Sequence, residues 1–120
     1  MNLVNIESAI GNHAEWKTKF RTAIAKQETM DAVTISKDNC CDLGKWLYGE
    51  AKVKFGSLAS YTECLQKHAA FHSEAGRVAF AINAKKYAEA EAMIGSGTPY
   101  ASASSAVGVA IMRLKKEAAI

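Results

Sequence analysis

The segment from Leu58 to about Ile82 carries the pattern that most restricts the possible folds of this chain. Apolar residues recur there at steps of three or four, the spacing that places side chains on one face of an α-helix. Two histidines, His68 and His72, belong to the same series and are four residues apart, so they lie one turn from each other. The pattern therefore predicts a long helix whose buried face includes two imidazoles.

A second long helix is predicted for residues 3 to about 30, where the apolar stripe contains His13 and Trp16 lies one turn further on. The stretch "GSGTP" is a strong break, with Thr98 as the predicted N-cap and Pro99 at the first helical position. Further helices are predicted over three ranges: residues 39–48, a short segment after a bend near residue 83, and residues 99–118.

Polar and glycine-containing stretches separate these predicted helices. "VTISKDNC" interrupts the first pattern, Gly49 and residues 52–56 are predicted to form a loop, and Ser57 is the predicted N-cap of the long helix that follows. The predicted fold is all-α: an antiparallel four-helix bundle with an additional short helix over residues 39–48.

Composition limits the class of protein. The 120 residues, 49% of them apolar and one of them proline, are expected to form one domain, residues 1–120. A diffuse net charge of +3 argues against nucleic acid as a partner, and no apolar run approaches the ~18 residues that span a bilayer. An odd number of cysteines, three, without an export signal predicts free thiols and a cytoplasmic location.

All three histidines fall on predicted buried stripes, and a buried imidazole needs partners for both ring nitrogens. A zinc ion would satisfy them, because Zn²⁺ commonly binds imidazole nitrogen and thiolate sulfur in a four-coordinate site. Cys40 and Cys41 are adjacent, so only one of them can point at the site. Cys64 is a rival ligand, because it lies one turn before His68, and is otherwise expected to be a small buried residue.

The combined pattern His13-x-x-Trp16, Cys41-x-Leu43-Gly44-x-Trp46 and His68-x-x-x-His72 resembles the chemoreceptor zinc-binding (CZB) domain family. The resemblance implies a four-helix bundle, often dimeric, that binds one zinc ion per chain. It implies four ligands: His13, Cys41, His68 and His72. It leaves Cys40 as an extra, partly exposed thiol.

Three further residues are expected to lie around the metal site. Trp16 and Trp46 are interpreted as core aromatics that keep water from the metal, and Gly44 as a position that lets a neighbouring helix come close. Cys41 stands near a helix start, from which its side chain can tilt inward while Trp46 packs beneath it.

The resemblance implies a cytoplasmic sensory domain without catalytic activity, which responds to zinc or, in some members, to hypochlorous acid through the zinc-bound cysteine. Its output is expected through a homodimer and a chemotaxis or diguanylate cyclase partner or fused module. A zinc hydrolase with three histidines and an open position is an alternative, although "HAAFH" lacks the glutamate of a general base. A metal-free helical interaction module is the other alternative.

Overall fold

The computed structural model describes the backbone of residues 6–119 and the side chains of residues 8, 11 and 15–119. Over this part of the chain the fold consists of helices and contains no strand, which confirms the predicted all-α class. The helices are α1 (Ile6–Lys26), α2 (Ala32–Ser36), α3 (Asp42–Tyr48), α4 (Glu50–Phe55), α5 (Ala59–Asn83), α6 (Tyr87–Met93) and α7 (Pro99–Ala118).

The helices with strong local signals lie where the sequence predicts them. Helix α7 starts at Pro99, and its N-cap Thr98 accepts a hydrogen bond through Oγ1 from the backbone N–H of Ala101 over 3.2 Å. Helix α5 covers nearly the predicted range, although its N-cap is Leu58 rather than Ser57. The prediction of Ser57 as the cap was wrong by one residue.

Helix α1 ends at Lys26, earlier than the predicted end near residue 30. Gln27 has a φ of +56°, in the left-handed region, and the N–H of Glu28 donates to the carbonyl of Ala23 over 3.0 Å. This is the six-to-one hydrogen bond of a helix C-terminus that usually has glycine at the left-handed residue. Because glutamine occupies that position, the sequence gives no obvious stop signal.

Two short helices occupy segments where the sequence pattern predicts none. Helix α2 lies within "VTISKDNC" and the residue before it, and its N-cap Asp31 accepts from the N–H of Thr34 over 3.2 Å. Helix α4 follows Gly49 and packs the fully buried Ala51 into the core. The loop prediction for residues 52–56 was wrong, and the sequence pattern did not predict α2, because short helices of this kind depend on packing more than on periodicity.

Helix α5 lies at the centre of the fold. It packs against α7 and α2, and also contacts α1, α4 and α6. Phe20 of α1 and Phe71 of α5 are completely buried in the shared core. The face of α5 that carries His68 and His72 is therefore enclosed by neighbouring helices. Within residues 6–119, no helix combines the length and the apolar character needed to cross a bilayer.

Candidate metal centre

Three side-chain donor atoms converge in the core of the protein. Cys41 Sγ lies 3.2 Å from His68 Nε2 and 3.5 Å from His72 Nε2, and the two Nε2 atoms are 3.1 Å apart. His68 is 0% exposed and His72 is 2% exposed, while Cys41 is half-buried. The structure therefore brings together three of the four residues that the sequence pattern predicts as ligands.

Helix geometry places the two histidines side by side. They are one turn apart on the buried face of α5, and their rings meet edge to face with centroids 4.5 Å apart. This arrangement directs both Nε2 atoms toward the same point, where Cys41 arrives from the start of α3.

A backbone carbonyl holds the ring of His72. His72 Nδ1 lies 2.8 Å from the carbonyl oxygen of Ile35, in α2. Because a carbonyl oxygen only accepts, Nδ1 carries the hydrogen, and the neutral ring then has its lone pair on Nε2. Burial lowers the pKa of His72, with the Ile35 hydrogen bond and the charge of Asp38 opposing that shift. The ring is thus held in the neutral form that binds a metal through Nε2.

Cys41 is the N-cap of α3. Its Sγ accepts a hydrogen bond from the backbone N–H of Gly44 over 3.3 Å. Burial raises the pKa of the Cys41 thiol, although hydrogen bonds from the backbone N–H groups of Gly44 and Leu43 partly offset that effect. Capping aims the sulfur into the core, which agrees with the expectation that a cysteine near the helix start tilts inward.

The sulfur of Cys41 and the Nε2 atoms of His68 and His72 cannot form hydrogen bonds across all three of their mutual contacts. Neutral His72 has its hydrogen on Nδ1, so at most two hydrogens, one from the Cys41 thiol and one from His68, can serve the three contacts. A cation at the centre satisfies all three atoms at once. Tetrahedral zinc would separate such atoms by about 3.3–3.6 Å, given its bond lengths to nitrogen and sulfur. The observed separations are within a few tenths of an ångström of these values, so the donors fit zinc.

The remaining candidate ligands are His13, Cys64 and Cys40. His13 belongs to α1, but its side chain lies outside the described residues, so its role as the fourth ligand stays a prediction. Cys64 is fully buried on α5 and does not join the donor group; burial raises the pKa of its thiol to about 12. Cys40 is half-buried, and its Sγ lies 3.5 Å from Asn39 Oδ1.

Gly44 and Trp46 lie beside Cys41 on α3. Gly44 contacts the site directly, because its N–H donates to Cys41 Sγ, and a Cβ atom at this position would collide with the backbone of Asp38. Trp46 is buried, and its ring packs against Phe55 of α4 with centroids 6.2 Å apart. The predicted role of Trp46 in excluding water from the metal stays a prediction.

A series of packed aromatic rings connects Trp16 with His72. Its indole packs on Phe20, with centroids 5.6 Å apart, and Phe20 meets Tyr100 of α7 at 5.8 Å. Tyr100 lies 5.7 Å from Phe71, whose ring is 5.5 Å from that of His72. Trp16 is therefore linked to the histidines across the core without an observed contact to either.

Sequence reasoning missed two features of the site. The carbonyl of Ile35 belongs to the backbone of a helix that the sequence pattern did not predict, so no side-chain pattern points to it. Gly76 lies one turn after His72 on the same face of α5, against Ser36 of α2. A glycine inside a strongly periodic helix was the available signal, since it marks a close approach by another backbone.

Comparison with protein families agrees with this geometry. The family model of the chemoreceptor zinc-binding domain matches residues 13–79. The chain belongs to this family. The matched range of the CZB domain begins at His13, contains Cys41, His68 and His72, and ends within α5. No curated protein and no solved structure gave a match.

Proposed function

We propose that this CZB domain binds one zinc ion per chain through His13, Cys41, His68 and His72, and that it is a non-catalytic sensory domain of the cytoplasm. The observation that carries the proposal is the convergence of one thiol and two imidazole nitrogens, 3.1–3.5 Å apart, in the buried core. Membership of a family described as zinc-binding supports zinc as the ion.

A closed site favours regulation over catalysis. With His13 as the fourth ligand, a four-coordinate zinc ion has no open position for substrate or water. The hydrolase alternative requires Cys41 to point away from the histidines, whereas its Sγ lies 3.2 Å from His68 Nε2. The stretch between His68 and His72 also lacks a carboxylate that would act as a general base.

Occupancy of the site would affect the packing of several helices. The proposed ligands come from α1, the start of α3 and α5, so a shared ion holds these three elements together. Bound zinc supplies the positive charge that keeps the Cys41 sulfur as a thiolate. When the donors separate, after zinc loss or after oxidation of the thiolate by hypochlorous acid, the start of α3 is released from α5.

We propose that the signal leaves through a homodimer and a chemotaxis or diguanylate cyclase partner or fused module. Val109 and Met112, on α7, support a dimer surface there, since their side chains are 52% and 49% exposed. Light scattering should give the mass of a dimer, and Val109→Lys with Met112→Lys should give a monomer. Phe80→Ser, at an exposed apolar residue of α5, is the control.

The finer description of the fold is also part of the proposal. We propose that residues 1–120 form one domain, an antiparallel four-helix bundle with α3 as the additional helix that carries Cys41-x-Leu43-Gly44-x-Trp46. The mutual contacts of α1, α5 and α7, with α6 against both α1 and α5, support this arrangement.

Metal analysis of the purified protein tests the function. We expect about one zinc ion per chain, most of which is lost in His68→Ala because a buried donor is removed. Cys64→Ala, one turn earlier on the same helix, is the matched control and should keep its zinc. Full zinc content in His68→Ala would refute the proposal. Cobalt substitution should produce a thiolate charge-transfer band, which an open site with three histidines would lack.

A further inference from the structure

Helix α2 contributes none of the proposed ligands, yet α5 holds it at three places. The Nδ1–H of His72 donates to the Ile35 carbonyl over 2.8 Å. One turn further along α5, Gly76 lies against Ser36. At the end of α5, Asn83 bonds to Met30, just before α2 begins. The first of these contacts involves a donor residue of the metal site.

Gly76 permits the close approach of α2 to α5. A Cβ atom at residue 76 would lie 2.6 Å from Ser36 Cβ and 3.0 Å from Ser36 Cα. Distances this short force the backbone of α2 to move away from α5. Because Ile35 directly precedes Ser36, such a movement would take its carbonyl away from His72.

Asn83 fixes the chain just ahead of α2. Its Oδ1 accepts from the N–H of Met30 and its Nδ2 donates to the carbonyl of Met30, both over 2.7 Å. The amide thus pairs with both backbone groups of one residue. Asp31, the next residue, caps α2. The two hydrogen bonds between Asn83 and Met30 therefore fix the position at which α2 starts.

The Ile35 carbonyl is available because Ile35 lies in the last turn of α2. The last four carbonyls of a helix have no intrahelical partner, and Ile35 is the residue before the last one of α2. His72 satisfies this carbonyl and gains a fixed ring orientation in return. Both groups are buried, so water does not compete strongly for either.

We propose that α2 positions the metal site: Gly76 and Asn83 are positioning residues that hold the Ile35 carbonyl against His72 Nδ1, so that Nε2 faces the donors Cys41 and His68. This inference rests on the proposed zinc function. Partners of this type set the tautomer and the orientation of a metal-binding histidine, and losing one typically weakens metal affinity 10–100-fold.

The first test measures zinc affinity by competition with a chromophoric chelator. Gly76→Ala should bind zinc at least about tenfold more weakly than the unaltered protein. Gly108→Ala, on α7, is the matched control, because a Cβ atom there meets nothing within 4 Å among the described residues. Ser36→Gly placed in the Gly76→Ala background should restore most of the affinity, since it removes the nearest clash.

The second test observes His72 itself in the metal-free protein. Nitrogen-15 chemical shifts of its ring should show the Nδ1-protonated tautomer in the unaltered chain and in Gly108→Ala. Gly76→Ala and Asn83→Ala should show a mixture of tautomers, which a general loss of stability would not produce in a folded protein. The circular dichroism of each variant establishes that it is folded.

Folded Gly76→Ala and Asn83→Ala variants with unchanged zinc affinity and an unchanged His72 tautomer would overturn the inference. Failure of Ser36→Gly to restore affinity would also count against it, because the clash would not be the cause. If the unaltered protein binds no zinc, the proposed function fails, and the tautomer measurement still decides whether α2 orients His72.

Discussion

The carbonyl oxygen of Asp38 occupies the place where a side chain at residue 44 would begin. The segment that leads into α3 therefore crosses directly over Gly44, whose N–H also donates to Cys41 Sγ. Tyr48 secures the same segment, since its hydroxyl donates to Asp38 Oδ2 over 2.5 Å. Asp38, Cys41 and Gly44 thus form one compact start to α3.

We predict that Gly44→Ala destabilises the protein and weakens zinc binding. The new methyl group meets backbone atoms of Asp38, which cannot rotate away, so we expect a loss of about 1–3 kcal/mol in the free energy of unfolding. Urea denaturation and chelator competition measure the two effects. Gly108→Ala should change neither, and a Gly44→Ala variant as stable as the original would contradict the observed crossing.

Cys41→Ser should separate helix capping from metal binding. Serine caps helices well, so α3 should remain, but its hydroxyl is a poor substitute for a thiolate ligand. We expect zinc affinity to fall at least about tenfold while helicity stays unchanged. The matched control is Cys40→Ser, at the neighbouring half-buried thiol, which should bind zinc normally. The reverse result would exchange the roles of the two cysteines.

Removing the metal should lower the melting temperature. Zinc present at 100 times its Kd stabilises the folded state by about 2.7 kcal/mol, provided that it does not bind the unfolded chain. For a domain of this size that corresponds to roughly 10 °C. Scanning calorimetry with and without a chelator measures the shift, and His68→Ala should not respond. An unchanged melting temperature of the zinc-loaded protein would favour the metal-free interaction module.

Zinc affinity should increase with pH above neutrality. Burial raises the pKa of the Cys41 thiol, so the thiol is protonated near pH 7 and zinc must displace that proton. Burial lowers the pKa of His72, so its imidazole is already neutral there. The thiol should contribute about a tenfold gain in affinity per pH unit, up to its pKa. Cys41→Ser should lose that contribution, and equal slopes would show that the thiol does not release a proton.

Local signals explain which helices the sequence predicts well. Thr98 and Pro99 act through neighbouring backbone atoms, so the start of α7 can be predicted from the local sequence without knowledge of the fold. Helices α2 and α4 carry too few residues for a periodic pattern, and burial of Ile35 and Ala51 helps to hold them in place. Their formation depends on distant parts of the chain, which a local pattern does not contain.

The candidate site likewise has parts that local sequence signals predict and parts that depend on distant contacts. His68 and His72 could be paired from their spacing on α5, and Cys41 came from the family resemblance; the structure brings all three together. The carbonyl of Ile35 could not be predicted, because every residue has a carbonyl and only the packing of α2 selects this one. The metal-binding role of all four predicted ligands stays a prediction.

The two hydrogen bonds between Asn83 and Met30 consist of neutral amide groups, which neither protons nor divalent ions alter in the range where proteins are folded. They lie about three turns along α5 from His72. If the hydrogen bond between His72 and Ile35 broke, α2 would therefore stay attached to α5 at its leading end, through Met30. Reforming that hydrogen bond would then close a loop of only a few residues, a step with a small entropic cost, so the break would be readily reversible.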